Sequence, residues 1–140
     1  MFDDTIDFVR LRTILGTPWF DEYGAQLERR LTDADIIAVV AVRSMAPAQA
    51  DETFGTMEVE VEDVLRGGVA RGARLVLELP VSATARFEDE RSRVEEAVHF
   101  VAYVRLYADE AAAVRNHWHL SPKDGDLLGT IRRVLRSGSP

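Results

Sequence analysis

Two segments of the chain carry the hydrophobic pattern of β-strands. Residues 36–42, IIAVVAV, form an unbroken apolar run rich in β-branched side chains, which is typical of a strand buried on both faces. Residues 56–62, TMEVEVE, alternate strictly between apolar or small and acidic side chains. Because successive side chains of a strand point to opposite faces, the second strand is predicted to place one face in the core and one in water. Its inward side chains would be Met57, Val59 and Val61, and its outward ones Glu58, Glu60 and Glu62.

Three further strands are predicted from shorter patterns. The glycine-rich segment 65–72, LRGGVARG, is predicted to be a turn that leads into a strand over residues 74–79, where Leu75, Leu77 and Leu79 face inward. The second and third strands are therefore predicted to form a hairpin. Residues 97–107 and 115–120 are predicted as the fourth and fifth strands, and the charged segment 82–96, which has no regular period, as a loop excursion.

Helices are predicted at both ends of the chain. Residues 3–15 favour a short helix closed by Gly16. Thr17 and Pro18 then begin a second helix, as hydroxyl cap and first helical residue, which runs to about Leu31 and buries Trp19, Tyr23 and Leu27. The third helix is amphipathic, with one apolar stripe formed by Leu127, Leu128, Ile131, Val134 and Leu135.

Together these elements predict an α+β domain. Five short strands with Greek-key connections favour a small antiparallel β-barrel of the OB type, with N-terminal helices and a C-terminal amphipathic helix packed on it. The 140 residues are expected to form a single domain, with a helical segment over 1–33, the barrel over 34–120 and the C-terminal helix over 121–137.

Charge and composition narrow the classes of partner. Residues 1–70 hold 14 acidic and 6 basic residues, whereas residues 71–140 hold 10 and 11, so the net charge of −7 lies in the first half. An acidic chain of this kind argues against nucleic-acid binding and favours a basic protein partner. No run of about 20 apolar residues and no signal peptide is present, so we expect a soluble protein without a membrane span, either cytoplasmic or exported and trimmed of its leader.

The segment 116–126, NHWHLSPKDGD, holds the strongest candidates for chemistry. On a strand, His117 and His119 project from the same face, as a metal-binding pair requires, but a third ligand would have to come from His99 or Glu95. The alternative is a junction in which Ser121 caps the third helix and Asp124 reaches back to it. We favour the junction, and we expect no catalytic residue, no bound metal and no cofactor.

Two other features have both a functional and a structural interpretation. The glycines at 67, 68 and 72 lack the lysine and the following helix of a phosphate-binding loop, so they are interpreted as a turn. The outward glutamates of the second strand are either a solvated face paired with arginine or part of a partner-binding surface. The candidate partner-binding residues are Glu58, Glu60, Glu62, Arg86, Glu88 and Asp89.

The segments 34–42, 56–79 and 99–104 resemble the bacterial relatives of netrin-like, or tissue-inhibitor-of-metalloproteinase-like, domains over about residues 34–120. The resemblance implies terminal helices packed on an OB-type barrel, and a binding domain rather than an enzyme. In the metalloproteinase inhibitors, the inhibitory group is an N-terminal cysteine that chelates the protease zinc. Met1 and Phe2 stand there in this chain, which contains no cysteine, so the resemblance carries over no inhibitory residue.

Three functions are therefore open from the sequence. The first is a non-catalytic protein-binding domain, which we favour because no reaction motif is present. The second is an immunity or antitoxin-like protein that masks a basic toxin. The third is a metal-dependent hydrolase that uses His117 and His119. The sequence does not indicate the oligomeric state.

Overall fold

A computed structural model describes residues 4–7, 11–46, 54–80 and 98–137 of the chain. Within these ranges the strands are β1 (Thr5–Ile6), β2 (Ile36–Ala46), β3 (Phe54–Arg66), β4 (Arg74–Pro80), β5 (His99–Ala108) and β6 (Val114–Pro122). The helices are α1 (Leu11–Ile14), α2 (Pro18–Asp33) and α3 (Gly125–Ser137). The strands form one sheet in the order β1-β6-β5-β2-β3-β4, antiparallel except for β1 with β6. The predicted α+β class and all five predicted strands are confirmed.

Strand β2 lies inside the sheet, and its first six residues, 36–41, are buried on both faces, as the apolar run predicts. It pairs antiparallel with β3 on one side and with β5 on the other. Side chains at 36, 38 and 40 contribute to a core cluster with Met57, Phe100 and Trp118, whereas Ile37 belongs to a second cluster that includes residues of α2 and α3. A strand between two cores needs apolar residues at every position, because each face removes side chains from water.

The hairpin of β3 and β4 follows the predicted alternation. Met57, Val59 and Val61 are buried, while the glutamates between them are partly exposed. In β4, Leu77 and Leu79 are buried and Leu75 is partly buried against the same cluster. The turn after β3 requires glycine at 67, because its φ is +112° and a Cβ there would lie 2.8 Å from the carbonyl oxygen of Asp35.

The sheet is not closed into a barrel, so that part of the fold prediction is wrong. Among the described residues, β4 has no backbone ladder on its outer side, and side chains of β6 reach it instead. Asn116 accepts from the backbone N–H of Glu78 (3.1 Å) and donates to the carbonyl of Val76 (3.0 Å), and the Trp118 indole donates to the carbonyl of Glu78 (2.7 Å). The amide of Asn116 thus takes the place of one backbone pair.

The predicted helix over residues 3–15 is wrong at residues 4–7. Thr5–Ile6 is a strand that pairs in parallel with residues 119–120 of β6, and the helical part of the described segment is Leu11–Ile14. The backbone N–H of Asp4 donates to the carbonyl of Trp118 (2.8 Å), and that of Asp7 donates to the carbonyl of Leu120 (2.9 Å). The local pattern favours a helix, but the edge of β6 supplies backbone partners that a helix would not use.

Helix α2 begins at Pro18 as predicted and extends to Asp33, two residues beyond the predicted end. Thr17 does not cap it through its side chain, because its hydroxyl donates to the carbonyl of Ile14 (2.7 Å). Tyr23 and Leu27 are buried as predicted, but Trp19 is 70% exposed. The prediction for Trp19 is wrong because Tyr23 is the first residue of α2 to reach the core.

Helix α3 begins at Gly125 rather than at residue 121, so the predicted Ser121 cap is wrong. Ser121 and Pro122 are the last residues of β6, and Asp124 caps the helix by accepting from the backbone N–H of Asp126 (3.2 Å). The predicted stripe is confirmed, with Leu127 and Ile131 buried and the other three side chains partly buried against them. No helix in the described ranges is long and apolar enough to cross a membrane.

Candidate functional site

The two histidines of segment 116–126 each bind an aspartate of the N-terminal segment. His117 Nδ1 lies 3.0 Å from Asp4 Oδ2, and the other carboxylate oxygen of Asp4 accepts from the backbone N–H of Trp118 (3.0 Å). The imidazole of His117 also stacks on Tyr107, with ring centroids 4.8 Å apart. Asp4 therefore holds the start of β1 against β6 through its backbone and its side chain.

The second pair is more deeply buried and includes a hydroxyl. His119 Nε2 lies 2.7 Å from Asp7 Oδ2, and the same oxygen accepts a hydrogen bond from Ser121 Oγ (2.6 Å). The Ser121 hydroxyl lies 3.4 Å from the hydroxyl of Tyr23 on α2. Asp7 thus joins β1, β6 and α2 in one polar network, which we call the Asp7 cluster (Asp7, His119, Ser121 and Tyr23).

Burial raises the pKa of two tyrosines at or beside this cluster. Desolvation, followed by the negative charge of Asp7, raises the pKa of Tyr23 to about 12. Tyr103, from β5, is fully buried and its hydroxyl has no hydrogen-bond partner of ordinary geometry, although Ser121 is near enough to offset part of the shift. Burial and the neighbouring Tyr23 raise the pKa of Tyr103 far above its usual value. Both phenols are therefore neutral at physiological pH.

The Asp7 cluster does not have the geometry of a nucleophilic triad. In such a triad the serine hydroxyl donates to histidine and the aspartate orients the far side of the ring, whereas Ser121 here donates to the aspartate itself. Ser121 is fully buried and the His119 side chain is 4% exposed, so a substrate has no access to either group. The Asp7 cluster therefore has the geometry of a structural contact that holds the N-terminal segment against β6.

A metal site at His117 and His119 gains no third ligand from the described residues. His99, one of the two candidates, pairs with Glu62 through Nδ1 at 2.7 Å, and Glu95, the other, lies outside the described residues. No group of three His, Cys, Asp or Glu side chains in the described ranges is close enough to hold a metal ion.

The outward glutamates of β3 are each paired with a basic side chain of a nearby strand. Glu58 pairs with Arg74 of β4, Glu60 with Arg43 of β2 at 3.1 Å, and Glu62 with His99 of β5. The face thus carries two exposed ion pairs with arginine and a hydrogen-bonding contact between Glu62 and His99, so two of its three glutamates are charge-compensated. The other candidate partner-binding residues, Arg86, Glu88 and Asp89, lie outside the described residues.

A groove between α2 and α3 was not predicted from the sequence. It has two lobes of about 430 and about 590 Å³. The first lobe has an apolar floor, and both lobes share Phe20, Thr130 and Arg133. At the start of α2, Leu15 is 59% exposed and lines the second lobe, and Trp19 stands next to Phe20. We call this region, together with the adjoining Trp19, the groove surface. The apolar residues that line the groove itself are Leu15, Phe20, Leu27, Leu31 and Val134.

The two walls of the groove carry opposite charges, and small residues line both. On the α2 wall the charged residues are Asp21 and Glu28, whereas Arg133 and Arg136 project from α3, with Asp126 as an exception at its first turn. A Cβ added at Gly24 or at Gly129 would have no atom within 4 Å. The sequence shows only that apolar residues cluster at the start of α2, and the groove depends on how two helices far apart in the chain meet.

Comparison with known proteins identifies no relative. No family model, no curated protein and no solved structure matches the chain.

Proposed function

We propose that this chain is a non-catalytic protein-binding domain and that its binding site is the groove surface. The observation that carries the proposal is that Leu15 and Phe20, which line the groove, are 59% and 37% exposed, and that Trp19, next to Phe20 in the chain, is 70% exposed. Single exposed apolar residues are ordinary, but adjacent ones beside a groove are characteristic of interaction sites.

Physical chemistry supports this choice of surface. Burying apolar area contributes roughly 25 cal/mol per Å², and a tryptophan side chain covers roughly 150–250 Å². Tryptophan and arginine are also the residue types that most often dominate the binding energy of an interface, and the groove surface has Trp19 and Arg133. Docking a partner here would remove the largest exposed side chain of α2 from water.

The strand pairing supports the OB-type relationship that the sequence resemblance implies. Strand β2 pairs with β3 and β5, β3 continues to β4, and β5 continues to β6, which returns to the edge of β4 through side chains. The OB fold is also a five-stranded, partly open Greek-key arrangement, so the number and pairing of strands support a relationship although this sheet is not closed. We propose that the chain is a distant member of this group, with its helices on one side of the sheet.

The alternative functions have less support from the described residues. A domain that masks a basic toxin would need an uncompensated acidic surface, but the glutamates of β3 already have basic partners. A metal-dependent hydrolase would use His117 and His119, but His117 contacts Asp4, the buried His119 contacts Asp7, and no third ligand lies beside them among the described residues.

Site-specific crosslinking tests the proposal. A photoreactive benzophenone side chain would replace Trp19 in one variant and, as the matched control, Val114, which is 75% exposed on β6, in another. We expect crosslinks in the producing cell from position 19 but not from position 114. Binding of the identified, purified partner should then weaken at least about tenfold in Trp19→Ser and stay unchanged in Val114→Ser. Equal crosslinking at both positions, or unchanged affinity in Trp19→Ser, would contradict the proposal.

A further inference from the structure

The charge pattern of the groove indicates what occupies it. We propose, on the basis of the proposed function, that the groove surface is an isologous interface with a second copy of this chain. The α2 wall presents Asp21 and Glu28, and the α3 wall presents Arg133 and Arg136. All four side chains belong to exposed residues, and none of the ion pairs found among the described residues involves them. A partner must therefore offer a basic flank to one wall and an acidic flank to the other.

A second copy meets this requirement through symmetry. Two copies facing each other are related by a two-fold axis in the plane of the interface, and each residue pair then occurs twice. If the axis runs along the groove, the acidic α2 wall of one copy faces the basic α3 wall of the other. If the axis crosses the groove, each wall faces the equivalent wall of the other copy, so like charges meet. The charge pattern therefore selects one arrangement, with the axis along the groove.

Shape supports the same arrangement. An isologous interface needs a projection and a recess on the same surface, and the groove surface has both. Leu15, which lines the groove, is 59% exposed, and Trp19, next to Phe20 in the chain, is 70% exposed, while the recess has free space above Gly24 and Gly129. Side chains at those two positions would fill the recess. The exposed aromatic residue of one copy can then enter the groove of the other, between walls of complementary charge.

A charge-swap experiment tests the interface. The acid-wall variant carries Asp21→Arg and Glu28→Arg, and the basic-wall variant carries Arg133→Glu and Arg136→Glu. In the proposed dimer, each variant alone brings like charges together in both halves of the interface. A mixture of the two variants restores opposite charges in both halves, because the all-basic groove faces the all-acidic one. The readout is molar mass by light scattering, with circular dichroism as the control for folding.

The expected result is that the wild-type chain has twice its monomer mass of 15.7 kDa. Each folded variant should have the monomer mass, and their equimolar mixture should return to the dimer mass. A wild-type mass of 15.7 kDa at every concentration overturns the inference. It is also overturned by a dimer that both variants retain, or by folded variants whose mixture stays monomeric.

The outcome also separates this inference from the proposed function. If the chain is monomeric but Trp19→Ser still abolishes binding of a crosslinked partner, the second copy is excluded and the binding site stands. If Trp19→Ser changes neither the molar mass nor the affinity for such a partner, both proposals fail.

Discussion

Replacing Asp7 with alanine tests the anchoring of the N-terminal segment, which no local pattern predicts. Asp7 Oδ2 accepts from Ser121 Oγ at 2.6 Å and pairs with His119 Nε2 at 2.7 Å. Both partners are buried and the Asp7 side chain is only 17% exposed, so water can replace the lost carboxylate only in part. Asp7→Ala therefore removes two charge-assisted contacts and leaves buried polar groups without their acceptor.

The size of the effect follows from these contacts. A hydrogen bond to a charged group contributes about 1.5–3 kcal/mol, and a buried polar group left without a partner costs about 1–3 kcal/mol. Allowing for partial relaxation, we expect Asp7→Ala to lower the free energy of unfolding by about 3–5 kcal/mol. That is a large part of the roughly 5–15 kcal/mol that stabilises an ordinary domain.

Urea unfolding, followed by circular dichroism, provides the assay. Glu110→Ala, in an exposed turn, is the control and should change stability by less than about 0.5 kcal/mol. A double-mutant cycle of Asp7→Ala with Ser121→Ala should give a coupling energy of about 0.5–3 kcal/mol, because both changes remove the same contact. If the two changes in the free energy of unfolding are strictly additive, or if Asp7→Ala loses no more stability than Glu110→Ala, Asp7 does not anchor the N-terminal segment.

Three further predictions concern other parts of the fold. Burial raises the pKa of Tyr23 from 10.0 to about 12. Between pH 10 and pH 12 the folded chain therefore keeps the phenol proton that the unfolded chain loses, and the free energy of unfolding should fall by about 3 kcal/mol over this range. Urea midpoints should show a shallower alkaline decline in Tyr23→Phe, and equal slopes would contradict this. Gly67→Ala should cost at least about 2 kcal/mol in thermal unfolding because its Cβ would meet the carbonyl of Asp35, whereas Gly68→Ala, with open space, should be nearly neutral. Asn116→Ala should speed hydrogen exchange at the backbone N–H of Glu78, and unchanged exchange would show that the bridge to β4 is not needed.

The parts of the fold that the sequence predicted are those set by local pattern. The alternation of β3 specifies a strand because successive strand side chains point to opposite faces, and the apolar run of β2 favours one because it is short and rich in β-branched residues. The stripe of α3 is specified in the same way by the helical period. These elements contain most of the two cores, so the α+β class followed from them.

The parts that the sequence did not predict depend on residues far apart in the chain. Ser121 stands before a helix with the spacing of a cap, but Asp7, 114 residues away, accepts its hydroxyl. Residues 5–6 fit a helical pattern, yet the open edge of β6 offers them backbone partners. Barrel closure likewise depends on whether β4 and β6 come within backbone hydrogen-bonding distance, which strand patterns do not specify.

The candidate binding surfaces likewise depend on contacts between residues far apart in the chain. The glutamates of β3 were identified as outward-facing from their alternation, but their basic partners lie on three different strands. Trp19 was predicted to be buried because it belongs to the helical stripe of Tyr23, and only the position of α2 on the sheet exposes it. The groove surface therefore emerged from packing rather than from any motif.

Acrylamide quenching of tryptophan fluorescence tests most directly whether a second copy covers the groove surface, because the two tryptophans differ strongly in exposure. Trp118 is fully buried and Trp19 is 70% exposed, so the quenchable emission of the folded chain reports on Trp19. If a second copy covers the groove surface, quenching should decrease as the protein concentration rises, and the basic-wall variant should stay quenchable throughout. Quenching that is identical at every concentration in the wild-type chain and in the variant would contradict the central claim.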